Sequence, residues 1–170
     1  QLIAPPPPSG HNPDYNGPAL RAALSVLTPE ERGALAHRFY NDTDQVDQDA
    51  CSSPQLVLWL EDGGDPACRG RWWEVVAAEA AERYPFGPFQ AARKLERLCL
   101  CAMTMEEPAV AAVERYQGNL LYVARLAGLS GSLPSLAGGF GLFFEAALPS
   151  LEALPPLLPP KAQTLVCGGL

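Results

Sequence analysis

Apolar positions along this chain fall into short blocks, and the spacing within each block predicts its element. Leu56-Val57-Leu58-Trp59-Leu60 is an unbroken run of large apolar residues with the length of a buried strand, and Pro54 bars a helix from entering it. Upstream, Thr28-Pro29-Glu30-Glu31 reads as a capping box with proline at the first helical position. It predicts a helix that reaches about Phe39 and stops near Asn41-Asp42. Beyond the strand, Glu61 to Pro66 is a turn, and Arg69 to Tyr84 places Trp72, Val76 and Ala80 on one helical face, with Glu79 and Arg83 an i,i+4 pair. A second helix is predicted from Phe89 to about Met103. Its apolar face runs through Phe89, Ala92, Leu95, Leu98, Cys99 and Ala102, with the charges on the other side.

The second half reads as strands. Pro108 to Tyr116 fits either element, whereas Leu120 to Leu126 has the β-branched and aromatic content of a strand. Gly138 to Gly141 is a turn into a strand at Leu142 to Ala146. The five prolines between Pro149 and Pro160 preclude a long helix, and Gln163 to Cys167 reads as a last short strand. Residues 1–17 contain Pro5-Pro6-Pro7-Pro8 and read as a linker or tail, so the folded domain is expected over 18–170. Helices in series between strands predict an α/β fold, an open sheet flanked by helices.

Composition narrows the function classes. A chain of 170 residues is long enough for one domain with a real core, since folding at this size buries roughly 70% of the extended surface. The net charge of −7 argues against nucleic acid or an anionic membrane as partner. The longest apolar stretch, Leu133 to Leu148, is Gly-rich, carries Glu145 and is too short to span a bilayer. Five scattered cysteines without nearby histidines form no metal motif, and they suggest a reduced, cytoplasmic protein. No targeting segment is recognisable, and the absence of an initiating Met suggests a fragment.

The candidate chemistry centres on Cys51, which lies on a turn at the edge of the predicted sheet, where a nucleophile can meet a ligand. A lone cysteine beside an apolar strand is more often a small buried hydrophobe than a nucleophile. Asp42, Asp44, Asp47 and Asp49 crowd it in sequence, and carboxylates raise a thiol's pKa, so these side chains must point elsewhere or be offset. Backbone amides around Ser52 and Ser53 are candidate oxyanion donors, although both serines are also ordinary turn formers. His37, late in the first helix, is a helix-end residue or a candidate acid/base. Gly138-Gly139-Phe140-Gly141 is not a dinucleotide fingerprint.

The run AHRFYNDTDQVDQDACSSPQLVLWL resembles the signature of the LuxC-type acyl-CoA and acyl-protein thioester reductases, a branch of the aldehyde dehydrogenase superfamily that supplies fatty aldehyde in bacterial bioluminescence. The similarity continues through Gly139-Phe140-Gly141-Leu142-Phe143-Phe144-Glu145 and into Lys161-Ala162-Gln163-Thr164-Leu165, covering roughly residues 19 to 168. The resemblance implies an aldehyde dehydrogenase-like catalytic domain. Cys51 would take a long-chain acyl group from acyl-CoA or acyl-protein, and NADPH would supply hydride to release aldehyde. It implies Glu145, beside Phe143 and Phe144, as a nicotinamide-ribose contact, an edge-strand carboxylate facing water being the alternative. It also implies an acyl-protein synthetase subunit as partner and a homo-oligomer in the intact enzyme.

The family's Rossmann-type cofactor domain, with its glycine fingerprint, is not recognisable here, so the chain reads as a catalytic half truncated on both sides. Such a half is expected to be inactive in reduction on its own and to self-associate through an exposed apolar face. Two other classes compete: a non-catalytic assembly piece that keeps the fold, and a cysteine acyltransferase with no redox step.

Overall fold

The computed structural model describes residues 27–50, 53–60, 66–105, 109–129, 136 and 138–158. Helix α1 (Pro29–Asp42) starts at the capping box: Thr28 Oγ1 accepts the Glu31 N–H at 3.2 Å, and Glu31 Oε2 accepts the Thr28 N–H at 2.8 Å. A 3₁₀ turn (Asp44–Val46) leads toward strand β1 (Leu56–Leu60). Helices α2 (Pro66–Arg83) and α3 (Pro88–Thr104) follow, then β2 (Val110–Tyr116), β3 (Leu121–Leu126) and β4 (Leu142–Leu148). Two short 3₁₀ turns, Leu151–Ala153 and Pro155–Leu157, replace any helix in the proline-rich stretch. The linker at 1–17, the start of the domain at 18, Cys51, Ser52, the turn at 61–65 and the strand expected over Gln163–Cys167 lie outside the described residues.

The four strands form one mixed sheet in the order β1-β4-β3-β2, giving an α/β architecture with helices on both faces. β4 runs parallel to both β1 and β3, while β2 and β3 form an antiparallel hairpin. Alternate residues of β1, β3 and β4 face opposite layers. Val57, Trp59, Leu121, Val123 and Phe143 pack under Leu35, Ala36 and Phe39 of α1 and Trp72, Trp73, Val76 and Ala77 of α2. Leu58, Tyr122, Ala124, Phe144 and Ala146 face the other way, against Cys101 and Leu98 of α3, Leu136 and Leu154. This double cover explains why β1 reads as a continuous apolar run. β2, undecided in the sequence, is an edge strand with most residues exposed or half-buried, so no burial pattern marked it.

Two corrections emerge. Helix α3 turns its apolar stripe outward, and the side chains it buries are Lys94 and Cys101. Lys94 Nζ donates to the backbone oxygens of Asn119 and Leu120, the latter at 2.9 Å, and lies 4.2 Å from the Phe86 ring centre and 4.5 Å from that of Tyr122. Carbonyls exposed by the β2–β3 loop need a donor, and that need overrides the hydrophobic periodicity of the helix.

The second correction is Glu145, which is neither on an edge nor facing water. It sits on the interior strand β4, 1% exposed. Its Oε2 accepts the indole N–H groups of Trp59 at 2.9 Å and Trp73 at 2.8 Å, and its Oε1 accepts Arg125 Nε at 3.2 Å. Arg125 also pairs with Glu114 of β2. One carboxylate thereby joins β1, β3, β4 and α2.

Glu145→Ala would leave two indole donors and a guanidinium without their acceptor, and is expected to lower unfolding free energy by roughly 3 kcal/mol. Urea unfolding followed by tryptophan fluorescence checks this. A loss below about 1 kcal/mol would show that the carboxylate is dispensable to the fold.

Candidate functional site

The described residues on either side of position 51 are tied together by one buried side chain, Gln48. Asp47 and Gln48 both adopt left-handed backbone conformations, φ 54° and 59°, each costing about 1 kcal/mol or more for a residue with a Cβ. Gln48 offsets that strain. Its Nε2 donates to Pro54 O at 3.3 Å and to Leu142 O at 3.1 Å, and its Oε1 accepts the Gly141 N–H at 3.0 Å. Gln55 Nε2 returns to Gln48 O at 3.2 Å, and the Phe144 N–H reaches Gln55 O at 3.3 Å. Residues 47–50 and 53–55 are thus fastened to the N-terminal ends of β1 and β4.

Arg97 of α3 fastens the same region from the other side. Its Nη2 meets Asp49 Oδ1 at 3.3 Å, its Nη1 donates to Gly138 O, and its guanidinium lies 4.7 Å from the centre of the Phe140 ring. Gly139 has φ 140°, a backbone conformation that strains any residue with a Cβ, and it lies directly against that guanidinium. Between these groups opens a cavity of about 490 Å³ lined by Gln48, Asp49, Ala50, Gln55, Arg97 and Leu100, with Arg93, Glu96, Leu136 and Gly138 completing the wall. It is an open depression that combines apolar and charged walls.

The aspartates that crowd Cys51 in sequence are each accounted for. Asp49 pairs with Arg97, Asp47 accepts the Tyr84 hydroxyl, and Asp42 is exposed. Asp44 is buried with neither oxygen hydrogen-bonded. Burial pushes its pKa up to about 7, the positive charge of Lys94 opposing and the negative charge of Asp47 adding to the rise. Burial also lowers the Lys94 ammonium to about 8, with Asp44 opposing. The Tyr84 hydroxyl is pushed up, first by burial and then by its bond to Asp47.

The sequence candidates divide. Cys51 and Ser52 lie outside the described residues. Ser53 is buried, its Oγ has no hydrogen-bond partner, and its backbone N–H donates to Ala50 O at 2.9 Å, so that amide is engaged within the chain. His37 holds α1 to α2, with Nδ1 2.6 Å from Glu79 Oε1. Glu79 is buried enough to raise its pKa, but its bonds to His37 and Arg83 prevail and lower it. Glu145 is enclosed under α2 as described, and a ribose contact would require its present donors to be displaced. The turn 138–141 also engages its donors internally: Gly139 N–H to Leu142 O, Phe140 N–H to Asp47 O, Gly141 N–H to Gln48. It is not a phosphate cradle.

Gln48, Arg97 and Lys94 were not singled out by the sequence reading. Their partners lie up to 94 residues away in the chain, and a glutamine between two aspartates carries no local signal of burial. Of the left-handed pair, Asp47 is of a type that tolerates that conformation, and Gln48 gives no signal of it.

No family model matches this chain, and no curated protein and no solved structure is significantly similar to it. Among the described residues no group of histidine, cysteine and carboxylate side chains could hold a metal ion. No described helix is long and apolar enough to cross a membrane.

Asp44 gives a pH signature with a defined sign. Its folded pKa, about 7, lies above the ordinary 3.8, so between these values the folded chain holds a proton that the unfolded chain has lost. Its contribution is complete below about pH 4 and is lost as pH rises toward 7. Asp44→Asn is expected to stabilise the chain at pH 8 by on the order of 2 kcal/mol and to flatten the decline between pH 4 and 7. Thermal unfolding across that range checks this; an unchanged slope would contradict the assignment.

Proposed function

We propose that this chain is an aldehyde dehydrogenase-like catalytic domain of a LuxC-type reductase of long-chain acyl thioesters, with Cys51 as the acyl-accepting nucleophile. The observation that carries this reading is positional. Asp49 and Ala50 on one side of position 51 and Gln55 on the other line the same open cavity, at the entry to β1. The clamping of the flanks by Gln48 and Arg97 supports it, because a nucleophile must be presented at a fixed place. So does the treatment of the neighbouring aspartates, since a paired Asp49, a bonded Asp47 and an Asp44 that protonates near neutrality oppose a thiolate less than four free carboxylates would.

The step is a thioester exchange. The Cys51 thiol loses its proton, and the thiolate attacks the carbonyl carbon of the acyl donor. A tetrahedral oxyanion forms and collapses, the bond to the donor sulfur breaks, and the departing thiolate takes up one proton. One thioester replaces another, so the exchange is nearly isoenergetic. Leu100 and Leu136 offer an apolar wall to the acyl arm, and the charged part of the wall is made of the pairs Arg93–Glu96 and Arg97–Asp49. A cytoplasmic, reducing location is part of the proposal, because the nucleophile must remain a thiol; Cys68, Cys99 and Cys101 are all free.

NADPH is the hydride donor that the family resemblance implies. The described residues do not fit it: turn 138–141 has its amides engaged, and the cavity lies at the N-terminal ends of the parallel strands, opposite to where open α/β sheets hold dinucleotides. No step here passes through that group.

The test is to incubate the chain with a long-chain acyl-CoA and map the acylated peptide by mass spectrometry. The expected result is a hydroxylamine-sensitive acyl group on Cys51, abolished in Cys51→Ala. Label on Cys68, Cys99, Cys101 or Cys167 with Cys51 unmodified would overturn the assignment, as would no label at all. A parallel reaction with reduced nicotinamide separates reduction from acyl transfer to another acceptor.

A further inference from the structure

The turn that forms one wall of the cavity has a buried acid at its root. Asp44 opens the 3₁₀ turn Asp44–Val46, is 1% exposed, and has a hydrogen bond on neither carboxylate oxygen. It belongs to the same hydrogen-bonded unit as the wall. The Val46 and Gln48 N–H groups donate to Thr43 O at 3.3 and 2.9 Å, the Asp47 N–H donates to Asp44 O at 3.2 Å, and Gln48, Asp49 and Ala50 then line the cavity. The titratable groups that face the Asp44 carboxyl are Tyr40 of α1, Tyr84 just beyond α2, Lys94 of α3 and Asp47 of its own turn. Lys94 and Tyr84 are committed elsewhere, the first to the backbone oxygens of Asn119 and Leu120, the second to Asp47.

We propose that Asp44 is a pH-operated latch on this wall. Protonated, it lets residues 43–50 stay closed against α1 and α3; ionised, it makes that turn open more often while the sheet stays folded.

A buried carboxylate without a donor must gain one or reach water once it is charged. Bringing Lys94 over would strip the carbonyls of Asn119 and Leu120 of their donor, so the carboxylate moves outward with its turn. Water is close, since Val46 in the same turn is 46% exposed. Opening breaks the bonds of the Gln48 amide, the Asp47–Tyr84 bond, the Phe140 N–H to Asp47 O bond and the Asp49–Arg97 pair, and it releases the left-handed strain at Asp47 and Gln48. The backbone ladders that join β1, β4 and β3 are untouched.

The direction follows from linkage. In the closed turn the carboxyl titrates at about 7, and in the opened turn it returns to the ordinary 3.8. Between these values the opening equilibrium rises about tenfold per pH unit, and above them it levels off. The rise is roughly fiftyfold from pH 5 to 7 and about twofold from pH 7 to 9.

Native-state hydrogen exchange on the 170-residue chain tests this, read at the Gln48 N–H as a protection factor so that the pH dependence of intrinsic exchange cancels. The expected result is a factor that falls roughly fiftyfold between pH 5 and 7 and is insensitive to dilute urea. It should also lie below that of the Tyr122 N–H, whose protection falls with urea because only unfolding of the sheet exposes it. Asp44→Asn should hold the Gln48 factor constant to within about threefold over the same range. A carboxyl-carbon NMR titration of the unsubstituted chain does not depend on that variant, and should place the Asp44 midpoint at about 7. A midpoint of about 4 overturns the proposal, as does a pH dependence that survives Asp44→Asn. So does a Gln48 N–H as protected and as urea-sensitive as that of Tyr122, because Asp44 would then act only on unfolding of the whole chain.

Discussion

The buried amide of Gln48 is the constraint around which the rest of the site is arranged. Parallel pairing of β1 with β4 joins segments nearly ninety residues apart, and the register begins where Gln48 meets Gly141, Leu142 and Pro54. Both amide hydrogens and the amide oxygen are engaged, so a buried polar group is satisfied and two left-handed residues are held in place. Backbone strain at Asp47 and Gln48 is the visible counterpart of that clamp. Strain of this kind persists only where the surroundings over-determine it, and it concentrates where a segment must present something.

Around the clamp the structure handles charge one group at a time. Arg97 neutralises Asp49, Tyr84 bonds Asp47, and Lys94 occupies carbonyls that would otherwise be bare. Asp44 is buried with neither carboxylate oxygen hydrogen-bonded, and its raised pKa follows from burial. On the other face, Glu145 collects two indoles and an arginine and fixes α2 to the sheet. Two faces of one sheet thus carry two polar solutions: a carboxylate among donors on one, and an ammonium among carbonyls and rings on the other.

The elements with local signals were legible in the sequence. Thr28 and Glu31 announced α1, the run Leu56 to Leu60 announced a doubly covered strand, and Trp72, Val76 and Ala80 marked the inward face of α2 correctly. The failures share a cause. α3 has a clear apolar face, yet its orientation was decided by carbonyls of the distant 119–120 loop. Glu145 reads as an edge carboxylate until Trp59 and Trp73 are folded over it from 86 and 72 residues away. Hydrophobic period reports that a face exists, whereas long-range hydrogen bonding decides where it points. Of the candidate site, the side chains that hold residues 47–50 and 53–55 were not legible, and Cys51 itself lies outside the described residues.

The central claim is that Gln48 fastens the segment before β1 to the start of β4, and amide hydrogen exchange at Gly141 reads that bond directly. The account predicts a protected Gly141 N–H in the native chain, exchanging at least about tenfold faster in Gln48→Ala relative to Tyr122, whose N–H bonds the backbone oxygen of Gly141 at 2.8 Å. Equal protection of Gly141 in both chains would contradict it.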